Sequence, residues 1–199
     1  MTRLLLLRHA ESADPSVFHG AESDIGLSPR GRAQAERVAA WLAGQGVEAL
    51  ACSAMLRARD TAAPIARLCG LVPEIEPDLH ERRVGVMGGT PTGRREGPWM
   101  DTVRAWMAGD TSATFGGAES FDEMRDRVVP VLERIAARHA GKTVAVVAHG
   151  AIIKTVLLSL LPGRSAAEWL AFGPIHNTAV SELVREEAGW RAVRLNERV

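Results

Sequence analysis

Cysteine is scarce in this chain: Cys52 and Cys69 are the only two among 199 residues. Two thiols without close spacing build neither a disulfide framework nor a zinc site, and both are expected to act as small buried apolar groups. Long apolar runs are missing as well, and none approaches the ~20 residues needed to cross a bilayer. The run at the start, Leu4–Leu7, meets Arg8, His9 and Glu11 directly and is too short for the core of a signal peptide. There is no excess of either charge. Lys+Arg and Asp+Glu both number 24, so the net charge is zero. That balance gives no reason to expect nucleic acid or a membrane surface as a partner, while a local cluster of cations is enough for a small anion. No His-x-x-x-His spacing and no clustered Asp/Glu calls for a metal, and no G-x-x-x-x-G-K-[ST] offers ATP a phosphate loop. Repeats, low-complexity stretches and a dividing linker are also absent. The expectation is a single cytoplasmic domain over 1–199, with no cofactor; oligomeric state is left open.

What is present is a globular composition, 46% apolar and 24% charged, in a chain long enough for a full core. Strand and helix signals alternate. Leu4–Leu7 reads as a strand buried on both faces. A polar loop over 13–24 follows. Ser28 and Pro29 start a helix that carries Val38, Trp41 and Leu42 and ends at Gly44 or Gly46. Val47–Cys52 reads as a second strand. Ser53 is expected to cap a helix over Met55–Leu68, with Leu56, Ala62, Ile65 and Cys69 toward the sheet. Leu71–Ile75, broken by Pro73, suits an edge strand. The segment 78–117 is irregular and holds the breakers Gly85, Gly88, Gly89, Pro91, Gly93, Gly97 and Pro98. Within it, Trp99, Val103, Trp106 and Met107 form one helical stripe, read as a small inserted lid or as a satellite of the core. Ser120 and Glu123 form a capping box for a helix that runs through Pro130 to about His139. Thr143–Ala148 is a strand, Gly150–Leu161 a helix and Ser165–Phe172 a further short helix. Ala179–Val184 and Trp190–Leu195 close the chain as a hairpin. This order predicts an α/β three-layer sandwich with a mostly parallel central sheet and helices on both faces.

Two of the apolar strands end in histidine: Leu4–Leu7 leads to Arg8–His9, and Val144–Ala148 leads to His149–Gly150. Ligands in open α/β sheets bind beyond the carboxyl ends of the strands, and the two strands are expected to be neighbours. Arg8, His9, Arg57 and His149 then gather beside the helix that starts at Gly150. Arginine forks match phosphate oxygens, a helix N-terminus favours an anion, and a histidine among them is a nucleophile toward phosphorus. A leaving alcohol needs a proton, for which Glu11, Glu81 and Glu119 are the candidates. Arg59 is expected to be solvated.

Six segments in order resemble motifs of the histidine phosphatase superfamily, in its phosphoglycerate-mutase-like branch. They are Leu7–Ser12, Leu27–Gly31, Ser53–Ala62, Leu79–Glu81 with Gly85, Gly117–Ser120 and Val147–Gly150. The resemblance implies that His9 is the phosphorylated nucleophile and that Arg8, Arg57 and His149 hold the phosphoryl group. It makes Glu81 the proton donor and gives Ser12 a phosphate contact; for Glu119 a helix N-terminal role competes with a catalytic one. The implied activity is metal-independent hydrolysis of a small phosphorylated metabolite through a phosphohistidine. The chain departs from the pattern on the substrate side: Pro15 replaces the Asn of mutases, Gly88 a common Glu, and the longer mutase segments are missing. Those departures favour a phosphatase over the alternative, a phosphoglycerate mutase. Ala10 in place of Gly is the one hint of a non-catalytic phosphate-binding module, and the acid segment Leu79–Glu81 speaks against a protein phosphohistidine phosphatase.

Overall fold

The four leucines that open the chain are buried without a polar break because both faces of their strand are covered. In the computed structural model, which describes residues 1–92 and 96–199, they lie in β1 (Thr2–Arg8). Leu4 and Leu6 point into one apolar cluster and Leu5 and Leu7 into another, as the two-residue period of a strand requires. Gly93, one of the expected breakers, lies outside the described residues.

Among the described residues the sheet has six strands in the order β3-β2-β4-β1-β5-β6. β2 (Ala49–Ser53), β3 (Glu74–Glu76) and β4 (Thr143–Ala148) run parallel to β1. β5 (Val180–Glu186) and β6 (Gly189–Glu197) form the antiparallel closing hairpin. The helices α1 (Pro29–Ala43) and α2 (Leu56–Cys69) cover the Leu5 face. The helices α4 (Phe121–Arg138) and α5 (Gly150–Leu160) cover the Leu4 face, joined by Val103 and Trp106 of the short α3 (Pro98–Met107). This is the mostly parallel α/β sandwich that the alternation predicts. β1 and β4 are neighbours whose following helices leave to opposite faces. That opens a crevice at their carboxyl ends, where ligands bind in such sheets.

The local signals hold at the helix starts. Ser28 accepts from the Gly31 N–H, and Ser120 and Glu123 form the reciprocal capping box. α4 continues through Pro130 as one element. Gly31 is required by a close approach: a Cβ there would overlap the backbone carbonyl of Glu11, so glycine lets α1 pass directly beneath the segment that follows His9.

Three expectations change. Leu56 faces outward and is 40% exposed, because α2 is turned to bury Arg57, Ala58, Thr61, Ala62 and Ile65. Ser53 ends β2 and does not cap α2; the N-cap is Met55, and the Leu56 N–H is taken instead by the Asp24 carboxylate, 2.6 Å away across the chain. The expected helix Ser165–Phe172 shrinks to one 3₁₀ turn, Ala166–Glu168. The Trp169 carbonyl accepts from Lys154 Nζ, and Gly173, at φ +72°, followed by Pro174, stops the chain from continuing the coil.

Candidate active site

His9 continues the β1–β4 ladder by one residue, its N–H donating to the Ala148 carbonyl at 2.9 Å. That register sets it beside His149, with ring centroids 5.0 Å apart. The His9 ring makes one protein hydrogen bond, from Nδ1 to the Ala10 carbonyl at 2.7 Å. A carbonyl can only accept, so Nδ1 carries the proton and Nε2 keeps a free lone pair. The backbone is held from two more sides. Asn177 Nδ2 donates to the His9 carbonyl at 2.9 Å, and Ala10 N–H donates to Thr61 Oγ1 at 2.9 Å. Thr61 in turn donates to the Arg57 carbonyl, tying the first turn of α2 to the segment after β1. Next to Asn177, Thr178 sits at φ +57° with its N–H on the Arg8 carbonyl. A β-branched residue in that region costs about 1–2 kcal/mol, strain of the kind that collects at functional sites.

A cleft of about 410 Å³ opens over His9. Of the residues singled out from the sequence, Arg8, His9, Glu11, Ser12, Arg57 and Glu81 line it, with Pro15 and Trp99. His149 is fully buried and packs against His9 without bordering the cleft itself. Its Nε2 hydrogen-bonds Ser53 Oγ at 2.8 Å, and its Nδ1 is buried with no protein partner. Arg8 donates from Nη1 to the Ile175 carbonyl at 2.7 Å, and its buried Nε is unpartnered. Arg57 spends one proton of each Nη on the loop over 13–24, donating to Ser23 and Gly20 carbonyls at 2.9 and 2.8 Å. Glu81 accepts from its neighbour's N–H on Arg82 at 2.9 Å and from Ala151 N–H at 3.3 Å. Its carboxylate therefore stands at the N-terminus of α5. Ser12 is buried at the cleft wall and makes only a long contact, 3.5 Å, to the Asp14 carbonyl.

The other carboxyl candidates are occupied. Glu119 is bound by both Arg127 Nε and Nη2 and by the Arg83 N–H, away from the cleft. Those partners hold it below the usual carboxylate range despite burial, which acts the other way. Glu11 accepts from Ser28 Oγ and pairs with Arg30. Arg59 is exposed. Ala10 lies outside the left-handed region, and its methyl packs with Leu27 and Ala35, so no backbone strain attends the loss of glycine there.

Burial, first, and the Arg8 and Arg57 cations, next, push the His9 pKa well below its ordinary 6.5. Burial likewise dominates at His149, with His9 and the two arginines adding to it. Arg8 is lowered by burial, and Glu81 opposes the shift. Two neutral imidazoles therefore stand within a field of buried cations, an arrangement suited to an incoming dianion.

The sequence reading did not single out Ser53, Thr61 or Asn177 as parts of the site. It also passed over Arg82 and Lys154 and gave His19 no role; all three line the cleft with Phe18, Trp99 and Trp169. Basic residues next to Glu81 and within an apolar helix were the only signal for the first two.

Residues 4–198 match the model of the histidine phosphatase superfamily, branch 1. The chain is 34% identical over 178 residues to a metal-independent phosphoserine phosphatase of Arabidopsis thaliana, an alignment covering 85% of this chain and 73% of that protein. It is 32% identical over 182 residues to phosphoglycerate mutase-like protein 4 of the same plant, covering 89% and 77%. Among solved structures, a mycobacterial glucosyl-3-phosphoglycerate phosphatase complexed with VO3 aligns with a TM-score of 0.85 at 26% identity, covering 98% of this chain and 99% of that one.

Proposed function

The chain belongs to the histidine phosphatase superfamily, and from that premise we propose that it is a metal-independent phosphomonoesterase working on a small phosphorylated metabolite through a phosphohistidine on His9. The observation that carries this reading is the His9 ring itself. Its proton is committed to the Ala10 carbonyl, its Nε2 is free, and it lines a cleft with Arg8, Arg57 and Glu81.

Each residue then has a task. His9 Nε2 attacks phosphorus as the ester oxygen departs, forming the P–N bond as the P–O bond breaks. Arg8, through its free Nε, and the remaining N–H groups of Arg57 offset charge on the equatorial oxygens. With Ser53 donating to Nε2, His149 carries its proton on the unpartnered Nδ1 and backs His9 as the second imidazole of the phosphoryl pocket, from behind the cleft wall. Ser12 adds a hydroxyl at the wall. Glu81 gives a proton to the leaving alkoxide. In the second half it takes one from water, whose oxygen breaks the P–N bond and releases inorganic phosphate. Residues 78–117 act as a cap within the single domain. Supporting this, the loop over 13–24 pairs by backbone with 89–92, Trp99 lines the cleft, and Trp106 anchors the segment in the core. A cleft of this volume suits a small molecule. Because the relatives include a phosphoserine phosphatase, O-phosphoserine heads the substrate panel.

Two measurements test the reading together. Aryl phosphate hydrolysis persists in excess chelator; activity lost to chelator and restored by a divalent ion contradicts it. The pH profile follows from the lowered histidine pKa values. His9 remains neutral below pH 6.5, so its protonation gives kcat/KM no acid limb at that value. Stability moves the other way. Below 6.5 the unfolded chain takes up protons at His9 and His149 that the folded chain refuses, so unfolding free energy falls as pH drops. A stability that rises on acidification through 6.5 contradicts the buried neutral pair.

The mutase alternative shares the pocket, and the plant relative named mutase-like keeps it open. It predicts transfer between positions of the glyceric acid rather than release of inorganic phosphate.

A further inference from the structure

Among the described residues, two that are not glycine have a left-handed backbone: Thr178, at φ +57°, and Asn196, at φ +52°. Both belong to one hydrogen-bonded network, and that network ends on Arg8 and His9. Backbone strain of this kind collects at functional sites. Asn196 lies on the edge strand β6. Val180 pairs with Glu197 and Glu182 with Arg194, so Leu195 and Asn196 together stand opposite Ser181. This is a β-bulge, and bulges at sheet edges re-aim side chains. The Asn196 N–H donates to Ser181 Oγ at 2.9 Å, and its side chain turns to the segment 174–178 that leads into β5. There Oδ1 accepts from the His176 N–H at 2.9 Å and Nδ2 donates to the Pro174 carbonyl at 2.8 Å. A side-chain amide carries both an acceptor and a donor, and asparagine also tolerates the left-handed backbone of the bulge.

The segment 174–178 passes this constraint to the site. Ile175 lies between the two residues that Asn196 holds, and its carbonyl receives Arg8 Nη1 at 2.7 Å. Asn177 Nδ2 donates to the His9 carbonyl at 2.9 Å, and the Thr178 N–H donates to the Arg8 carbonyl at 3.0 Å. One short turn therefore grips the Arg8 guanidinium and both carbonyls at the end of β1. Anchoring Nη1 orients the guanidinium, and with it the buried Nε that has no protein partner. Pro174, Ile175 and Asn177 line the cleft, whereas Asn196 stands behind them.

We propose that Asn196 is a positioning residue for phosphoryl transfer, acting on Arg8 and His9 through the 174–178 turn without touching the substrate. Its amide fixes the peptide groups on either side of the Ile175 carbonyl, so that Arg8 is aimed at the phosphoryl group and the His9 backbone is held for attack. Misplacement of reacting groups by a change far from the chemistry is costly, on the order of 100-fold for 1 Å. The inference rests on the phosphomonoesterase reading.

Asn196→Gly tests it, because glycine keeps the left-handed φ and removes both side-chain bonds. On an aryl phosphate kcat is expected to fall by about tenfold or more while KM stays within about twofold, the pattern of lost alignment. Orthovanadate, which takes the shape of the transferring group, is expected to inhibit about tenfold more weakly, whereas inhibition by inorganic phosphate changes by less than about threefold. A urea melt of the same sample gives the folded fraction. A role in folding alone lowers the melt and leaves kcat per folded molecule and vanadate inhibition unchanged, and that result overturns the proposal. Should Asn196→Gly not fold, Asn196→Asp keeps the acceptor for His176 and gives up the donor to Pro174. A fall in its kcat of about threefold or more supports the clamp, and a smaller change overturns it. Failure of the phosphomonoesterase reading is recognised separately, by absence of wild-type turnover on aryl phosphate. Vanadate binding is then compared by calorimetry in the wild type and Asn196→Gly, where weaker binding in the variant supports the clamp and equal binding overturns it.

Discussion

His9→Ala is expected to lose turnover on every phosphomonoester by at least about 1,000-fold, because in the proposed mechanism His9 Nε2 is the atom that receives the phosphoryl group and no neighbour replaces it. His149, the nearest imidazole, is fully buried and does not border the cleft. The fold survives the change. The imidazole makes one protein hydrogen bond, to Ala10 of its own chain segment, while the register of the segment rests on backbone groups. Those are the His9 N–H on Ala148 and the His9 carbonyl under Asn177, both untouched by truncation. The unfolding free energy is expected to move by no more than about 2 kcal/mol, within the ordinary range for a single substitution. Steady-state rates beside a urea melt check both halves. Retained activity excludes His9 as nucleophile, and loss of the folded state would move its importance from chemistry to architecture.

Glu81→Gln separates leaving groups. Glutamine keeps a carbonyl oxygen to accept from the Arg82 or Ala151 N–H groups, so the loop and the start of α5 retain an acceptor. What it removes is the transferable proton. Alkyl phosphates, whose alkoxide leaves badly, are expected to slow by about 100- to 1,000-fold, in the range of general acid catalysis. An aryl phosphate, whose phenolate leaves without help, is expected to slow by less than about tenfold. The ratio of kcat values on the two substrates is the readout. Equal losses on both remove Glu81 from the acid role, and Glu119 cannot inherit it, being tied to Arg127 and Arg83 outside the cleft.

The parts of this protein that were legible in its sequence are those set by neighbours along the chain. Leu4–Leu7 reads as a doubly buried strand because four apolar residues in a row leave no solvent face. Ser28–Pro29 and Ser120–Glu123 announce helix starts because a cap acts within one turn. Arg8–His9 and His149 stand at strand ends, and the ends of neighbouring parallel strands must converge. What could not be read depends on segments meeting from far apart. Asp24 replaces Ser53 as the partner of the α2 N-terminus only after the loop over 13–24 folds back across the site. The turn of α2 that brings Arg57 to the site, as the sequence suggested, also leaves Leu56 outward, which the apolar pattern did not. Ser53 is released to hold His149, 96 positions away. Arg82 looks like one more surface arginine in sequence. Its burial depends on Trp99 and Trp106 closing over it from a helix whose place against the core no local pattern reveals.

The most direct test of the central claim is to trap the enzyme in the middle of its cycle. Protein freed of metal by chelator is mixed with a phosphomonoester labelled in the phosphoryl group, quenched in base within the first turnovers, and digested for peptide mapping. The expected result is one label on the peptide containing His9, stable in base and lost in acid, absent from His9→Ala. Turnover with no covalent label, or an acid-stable label on another residue, contradicts a phosphohistidine at His9.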